Sequence, residues 1–208
     1  MKKYFTQILG IALISITAIA DEGTSLGLFK NTGYFLREES EFEGQAKDTD
    51  VLTPSGTVLA RVNHDYKRLL NIEGSGLLMD GRVVTNAGTR GGIIRYVESS
   101  IHGYGITASG CAAIPFKTIA VDPRLIPLGT VVHIQETEGM PLPDGSHHNG
   151  NWVAMDTGSA IQGHRIDLYI GSRRLASTLN SFGIRDMMSM TLSIARPRDP
   201  NDLCQVRP

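Results

Sequence analysis

Three aspartates in the C-terminal half of the chain have the side chain and the local setting that acid–base chemistry requires. They are Asp122, which precedes a proline; Asp156, which precedes Thr-Gly; and Asp167, which Ile166 and Leu168 flank. An aspartate before proline or Thr-Gly is usually a turn residue that accepts bonds from backbone N–H groups. Asp167 differs, because a strand would place its two apolar neighbours on the opposite face. We therefore expect the Asp167 carboxylate to face a cleft.

A carboxylic acid held beside a leaving-group oxygen can protonate it and turn it into a good leaving group. A free aspartate has a pKa of about 3.9 and is ionised at neutral pH. Partial burial and neighbouring negative charges raise the pKa of one member of a carboxylate cluster. We expect Asp167 to be that protonated member and Asp156 to stay ionised. Asp122 belongs to the same catalytic set, but we interpret it as a loop organiser rather than a reactant.

Short strands separated by glycine or proline must position these aspartates. Six are predicted, at residues 95–98, 118–121, 130–135, 152–155, 165–170 and 188–195. Short strands separated in this way by glycine and proline favour a closed β-barrel over an open sheet. One short helix is predicted over 172–182, with Gly183 as its C-cap. The prediction is a mainly β fold with one or two short helices.

The N-terminal half has weaker patterns. Residues 57–62 are typical of a strand, 65–72 are ambiguous between helix and strand, and 74–85 indicate two strands around an Asp-Gly turn. Residues 21–54 show no strong period, and we expect a loosely structured arm or linker that docks on the main domain. The predicted organisation is an N-terminal extension at 21–95, partly strands packing on the barrel, a barrel domain at 96–195 and a C-terminal tail at 196–208.

Residues 1–20 have the pattern of a secretory signal peptide. Lys2 and Lys3 precede a short apolar core, and Ala18-Ile19-Ala20 stands before Asp21. The core is shorter than the roughly 20 apolar residues of a transmembrane helix. An uncleaved anchor is the alternative. No later segment is apolar enough to span a bilayer, so we expect a periplasmic or secreted protein without a stable membrane span after signal removal.

Composition and cysteine count further restrict the functional classes to which the protein can belong. A net charge of −1 argues against a nucleic-acid-binding protein. Cys111 and Cys204 permit one disulfide in an oxidising compartment, although two unpaired thiols remain an alternative. Neither cysteine has the spacing of a zinc site, and we expect no metal or cofactor. His147 and His148 are expected to be exposed to solvent, and Trp152 is expected in the core.

The stretch from Tyr104 to Ile194 resembles the three-aspartate (3D) domain. That domain occurs in the membrane-bound lytic transglycosylase A family and in stationary-phase survival-type proteins. The matching segments are Ile119 to Pro123, Ile126 to Thr130, Ala154 to Ile161 and Gly163 to Tyr169. The chain departs from the common pattern at Gln162, where lysine is usual, and at Ser159, where glycine is common.

The resemblance implies a six-stranded double-psi β-barrel that gathers the aspartates at one groove. It implies cleavage of the β-1,4 bond from N-acetylmuramic acid to N-acetylglucosamine in peptidoglycan strands, with a 1,6-anhydro product. It assigns the single acid/base to Asp167 and supporting positions to Asp156 and Asp122. Other cell-wall proteins are further candidate partners.

We assign substrate binding to residues beside the aspartates and in the loop 104–110, which is equally compatible with a plain surface loop. These residues are Tyr104, Thr107, Ser109, Thr157, Gly158 and Arg165. Two other functions compete with the transglycosylase: a non-catalytic glycan-binding module of the barwin or expansin type, and a peptidoglycan hydrolase that uses water. All three aspartates are present and aromatic content is only 6%, which favours an enzyme.

Overall fold

The computed structural model describes residues 22–99, 103–199 and 204. The predicted signal peptide and most of the tail after residue 199 lie outside the described residues. The strands are β1 (Ser25–Glu38), β2 (Thr49–Leu52), β3 (Val58–Val62), β4 (Ser75–Leu77), β5 (Val83–Arg90), β6 (Ile93–Ser99), β7 (Thr118–Ala120), β8 (Val131–Pro141), β9 (His147–Asp156), β10 (Arg165–Ser172) and β11 (Ser189–Arg196). The α-helices are α1 (His64–Glu73) and α2 (Ala176–Ser181).

Six of the strands close into a barrel. Their hydrogen-bonded order is β1-β10-β7-β9-β8-β11, and β11 pairs with β1 to complete the ring. Strand β1 runs parallel to β10 and antiparallel to β11, while β7 runs parallel to β9. Closure leaves no unpaired edge in the barrel. The predicted mainly β fold, a six-stranded double-psi barrel with two short helices, is confirmed.

The barrel interior is apolar. Ile166 and Leu168 of β10 are buried, and Asp167 between them is only partly buried on the other face. Trp152 is buried in the same core, as predicted, and its Nε1 donates to Thr137 Oγ1 at 2.9 Å. This alternation gives β10 one face for the core and one for polar groups.

The six strands predicted after residue 94 all exist, with shifted ends, but β6 does not belong to the barrel. Strand β1 takes the sixth place, so the expectation of an irregular arm at 21–54 is wrong over Ser25–Glu38. The barrel therefore begins before residue 96. Buried residues in β1 do not alternate regularly, because the strand passes from the barrel into a second sheet. Gly33 fits there because a Cβ would lie 2.7 Å from Ile170 Cδ1.

A smaller layer packs beside the barrel. The C-terminal end of β1 pairs with β4, and β5 and β6 extend that sheet. Helix α1 resolves the ambiguity at 65–72: Asn63 caps its N-terminus, and Gly74, with φ +80°, ends it. The predicted Asp80-Gly81 turn joins β4 to β5. This layer has its own core, formed by Val51, Val62, Tyr66, Leu70, Leu78, Val84 and Tyr96.

Of the two adjacent histidines, His147 lies on the surface and His148 lies in the core. His147 is exposed as predicted, but the prediction is wrong for His148, which is buried. Successive residues of β9 point to opposite faces, so one of the pair must point inward. His148 Nε2 donates to the Phe116 carbonyl at 2.7 Å, and its Nδ1 accepts from Gly150 N at 2.9 Å. Burial lowers the pKa of His148.

The two cysteines form a disulfide, Cys111–Cys204, across 93 residues. Cys111 is buried against the barrel, so the bridge fastens the C-terminal tail to it. In the described part of the chain, no helix is both long and apolar enough to cross a membrane.

Candidate active site

Strand β7 brings two of the three aspartates to one face of the barrel. Asp167 of β10 lies in register with Ala120, and Ala120 lies in register with Asp156 of β9. Neighbouring strands are about 4.8 Å apart, so the two aspartates are separated by about 10 Å along the sheet. Thr32 and Tyr34, two residues apart on β1, hydrogen-bond to Asp167 and Asp156 respectively, so both carboxyl groups lie on the same side of β1.

Asp167 is held in a setting that favours its protonated form. The pKa of Asp167 is raised to about 7, chiefly by burial, and the negative charges of Glu73 and Asp186 act in the same direction. Thr32 Oγ1 donates to Asp167 Oδ1 at 2.8 Å, and this bond and the charge of Arg165 lower that pKa. The burial effect is the largest. The side chain keeps some exposure to solvent, but Asp167 is not among the residues that line the groove described below.

Asp156 is surrounded by hydrogen-bond donors. Its Oδ1 accepts from Ala108 N and from Thr157 N, each at 2.9 Å, and its Oδ2 accepts from the Tyr34 hydroxyl at 3.0 Å. Burial raises the pKa of Asp156, and these three bonds oppose that effect. Donors directed at both oxygens stabilise the ionised carboxylate. Tyr34 is partly buried, and the pKa of its hydroxyl is raised by burial and then by Asp156.

Asp122 lies in a separate ion pair. Its oxygens accept from Arg124 Nε at 2.9 Å, from Arg124 Nη2 at 2.6 Å and from Gly163 N at 2.8 Å. The Arg124 guanidinium holds the pKa of Asp122 well below its usual range. These bonds tie the turn after β7 to the segment that leads into β10. The structure thus brings Asp156 and Asp167 together and uses the Asp122 carboxylate to join two loops.

A groove of about 360 Å³ opens in front of Asp156. Its barrel side includes Tyr34, Tyr104, Thr107, Ala108, Asp156, Thr157, Gly158 and Tyr169. Its opposite side comes from the smaller layer and includes Asn71, Glu73, Ser75, Thr85 and Asn86. The N-terminal half of the chain therefore supplies the second wall of the groove.

Four of the six residues assigned to substrate binding line this groove: Tyr104, Thr107, Thr157 and Gly158. Ser109 is not among the residues that line the groove, and it hydrogen-bonds to Thr107, with 2.9 Å between the hydroxyl oxygens. Arg165 begins β10, two residues before Asp167, and its Nε is buried without a hydrogen-bond partner.

Three residues near the two aspartates were not predicted from the sequence. Thr32 and Tyr34 contact Asp167 and Asp156 from β1, in a segment interpreted as an irregular arm. Thr32 and Tyr34 alternate with Gly33, and this alternation was the local sequence pattern that indicated a strand. Glu73, the last residue of α1, accepts from Phe35 N at 3.3 Å and from Arg37 Nη2 at 3.1 Å. Burial raises the pKa of Glu73.

Within the described ranges, no three histidine, cysteine, aspartate or glutamate side chains gather closely enough to hold a metal ion. The groove instead offers carboxyl, hydroxyl and amide groups. Such groups can bind a sugar through its hydroxyls and transfer protons to it.

Residues 117–192 match the model of the 3D domain, so the resemblance to that family is confirmed. The match includes β7 to β10, the first half of β11 and all three aspartates, but not β1 or α1. A 61-residue segment is 43% identical to the cell wall-binding protein YocH of Bacillus subtilis (strain 168). That segment is 29% of this chain and 17% of YocH, so the alignment spans less than a fifth of that relative.

Two solved structures share the fold over most of the chain. Escherichia coli MltA with bound chitohexaose has a TM-score of 0.54 at 16% identity, over 82% of this chain and 73% of that one. The membrane-bound lytic murein transglycosylase of Agrobacterium tumefaciens has a TM-score of 0.52 at 15% identity, over 81% of this chain and 74% of that one. These similarities extend beyond residues 117–192 and establish the fold.

Proposed function

We propose that this chain is a peptidoglycan lytic transglycosylase with Asp167 as its single acid/base. The reaction cleaves the β-1,4 bond from N-acetylmuramic acid to N-acetylglucosamine and leaves a 1,6-anhydro ring. One observation carries the proposal. A half-buried carboxyl group with a pKa of about 7 lies across one strand from a carboxylate that receives three hydrogen bonds.

In the first step, Asp167 donates its proton to the glycosidic oxygen as the bond to the anomeric carbon breaks. Positive charge develops at that carbon. Asp156 stabilises this charge, because Tyr34, Ala108 and Thr157 hold its carboxylate in place before the reaction begins. Asp122 takes no part in proton transfer, and it keeps the turn after β7 in position through Arg124 and Gly163.

In the second step, the C6 hydroxyl of the same muramic acid residue attacks the anomeric carbon. A C–O bond forms, and the hydroxyl proton passes to the Asp167 carboxylate, which restores the acid. The nucleophile belongs to the substrate, so no second carboxylate is needed to activate water. One carboxyl group with a pKa near the working pH serves both steps well.

The fold and the relatives support a substrate in the cell wall. The barrel is shared with a protein solved with bound chitohexaose, and the matching relative is named for cell-wall binding. The signal-peptide pattern of residues 1–20 agrees with this location. We therefore place the protein in the periplasm or outside the cell, with glycan strands as its partner.

The decisive experiment is incubation of the purified protein with peptidoglycan, followed by mass analysis of the soluble fragments. A transglycosylase yields anhydro fragments, each one water lighter than the hydrolysed equivalent. Fragments with reducing ends would identify a hydrolase, and binding without fragments would identify a glycan-binding module.

Asp167→Asn tests the assigned acid/base. Asparagine has nearly the same shape and still accepts the Thr32 hydrogen bond, but it cannot give up a proton at this step. We expect cleavage to fall below detection while circular dichroism stays unchanged. A folded Asp167→Asn variant with wild-type activity would refute the assignment.

A further inference from the structure

A second and larger cavity, of about 500 Å³, lies next to the aspartate groove. Tyr104 lines both cavities and separates them. The other walls come from the segment before β7 and from the hairpin between β8 and β9. Its lining includes Pro115, Phe116, Lys117, Leu142, Pro143, Asp144, His147, Asn149 and Leu175. None of these residues takes part in the chemistry proposed above.

The walls of this cavity are fastened to β10, the strand that carries Asp167. The Tyr169 hydroxyl donates to the Tyr104 carbonyl at 2.8 Å, and Phe116 N donates to the Tyr169 carbonyl at 2.8 Å. Gly171 lies against Pro115, where a Cβ would come within 2.6 Å of the proline Cγ. The two cavities therefore share one rigid support, and a ligand bound in both meets a fixed geometry.

The chemistry of the second cavity differs from that of the groove. Leu142, Pro143 and Leu175 give it an apolar surface, and Lys117 adds an exposed ammonium group. In the part of the chain that the structure describes, the Lys117 ammonium makes no hydrogen bond or ion pair. Asp144 Oδ1 accepts from Ser146 N at 2.9 Å and from Ser146 Oγ at 2.6 Å, and the charge of Lys117 helps to lower the pKa of Asp144 after these bonds.

This combination suits a peptide better than a sugar. A glycan offers hydroxyl and amide groups and binds well on aromatic faces, and Tyr104 is the one exposed aromatic ring among these lining residues. A peptide with free carboxylates can place one on the ammonium of Lys117 and pack its aliphatic side chains on leucine and proline.

We propose that this cavity binds the stem peptide of peptidoglycan, with Lys117 receiving one of its carboxylates. The inference rests on the proposed function, with the glycan bound in the groove beside Asp156. The stem peptide branches from the lactyl group of the muramic acid residue, and Tyr104 is the residue that the groove and the cavity share. Three extended residues span about 10 Å, which is the scale of a step from one cavity to the next.

The test compares two substrates: glycan strands that keep their stem peptides and strands from which an amidase has removed them. Lys117→Gln should lower kcat/KM about fivefold on peptide-bearing strands, as expected for an exposed ion pair, and leave peptide-free strands unaffected. Lys117→Arg keeps the charge and should restore most of the rate. The matched control is Arg68→Gln on α1, which removes a positive charge outside both cavities. Equal losses on both substrates, or no loss on either, would overturn the inference.

A binding measurement separates this inference from the proposed function. Free stem peptide is titrated into isotope-labelled protein carrying Asp167→Asn, and amide shifts are followed. Shifts at Lys117, Leu142 and His147 are expected whether or not the wild-type protein cleaves glycan. Shifts absent from these residues would overturn the peptide site even if anhydro products form. Peptide binding without any cleavage would instead reject the transglycosylase and keep the site.

Discussion

At the level of single residues, Asp156 and Asp167 differ in the groups that surround their carboxylates. Asp167 has one hydroxyl donor, and burial dominates its pKa. Asp156 has three donors, two of them backbone amides. Burial raises the pKa of both carboxyl groups, and three donors oppose that rise at Asp156 where a single hydroxyl does so at Asp167. The proposed division between acid and electrostatic stabiliser rests on this difference.

The pH dependence of cleavage should report the Asp167 proton. The acid form is the active one, and the Asp167 pKa is about 7, so the rate should fall as pH rises through 7. Well above that value, the loss should approach about tenfold per pH unit. Initial rates on purified peptidoglycan between pH 5 and pH 9 measure this, with pelleting assays to show that substrate binding persists. A rate that keeps rising up to pH 9 would contradict an acid role for Asp167.

Tyr34→Phe should weaken the stabilising role of Asp156. The variant removes one of the three donors to that carboxylate without changing the ring packing against Tyr169. We expect kcat to fall about tenfold, the cost of one hydrogen bond to a charged group, with KM little changed. Tyr66→Phe is the matched control, because its hydroxyl donates to Leu77 O, outside the groove. If the two substitutions lower kcat equally, the hydrogen bond from Tyr34 to Asp156 has no specific role in catalysis.

At the scale of elements, β1 and α1 complete a site that the C-terminal strands only begin. Strand β1 closes the barrel, carries Thr32 and Tyr34, and then continues into the smaller layer. Helix α1 ends at Glu73, whose carboxylate joins it to Phe35 and Arg37 of β1. A barrel made only of residues 96–195 would lack both hydroxyl donors and one wall of the groove.

Gly171→Ala should destabilise the barrel at the junction of β10 with the segment before β7. Gly171 has φ +91°, and an added Cβ would lie 2.6 Å from Pro115 Cγ. We expect a loss of about 3 kcal/mol in the free energy of unfolding, partly from backbone strain and partly from the overlap. Urea unfolding measures it.

Gly145→Ala is the matched control, with φ +84° and no neighbouring atom within 4 Å of its added Cβ. It should lose only about 1 kcal/mol, the cost of the backbone strain alone. If both variants lose the same amount, the contact between Pro115 and β10 does not stabilise the barrel.

At the scale of the whole molecule, a disulfide joins the buried loop before β7 to the C-terminal tail. Cys111 and Cys204 are 93 residues apart, and the loop they close contains β7 to β11. A covalent link across so long a segment restricts the unfolded chain. It also suits a protein that works outside the cytoplasm.

Reduction of this disulfide should lower thermal stability without abolishing the fold. We expect a decrease of about 2–4 kcal/mol in the free energy of unfolding, since the barrel keeps its own apolar core. Thermal denaturation with and without a reductant measures the change. The double variant Cys111→Ala, Cys204→Ala should match the reduced protein and should not respond to the reductant. An unchanged midpoint on reduction would show that the bridge contributes nothing to stability.

The strands of the C-terminal half and the aspartate motifs were predictable from the sequence, because each depends on residues that are neighbours in the chain. Alternation around Asp167 indicated a strand with a polar face, and glycines and prolines bounded most of the C-terminal strands. The spacing of the aspartate motifs predicted the barrel family, which the match over residues 117–192 confirms. These are local patterns, and each can be recognised within a few residues.

Tertiary structure alone decided how the site is completed. Thr32 meets Asp167 across 135 residues, and Tyr34 meets Asp156 across 122 residues. The burial of His148 and the separate ion pair of Asp122 also depend on packing against distant segments. A strand's pattern shows which face is apolar, but not which strand pairs with it or in what register. The pKa of a carboxyl group depends on its burial and on neighbouring donors and charges, so the raised pKa of Asp167 depends on the fold and not on the local sequence.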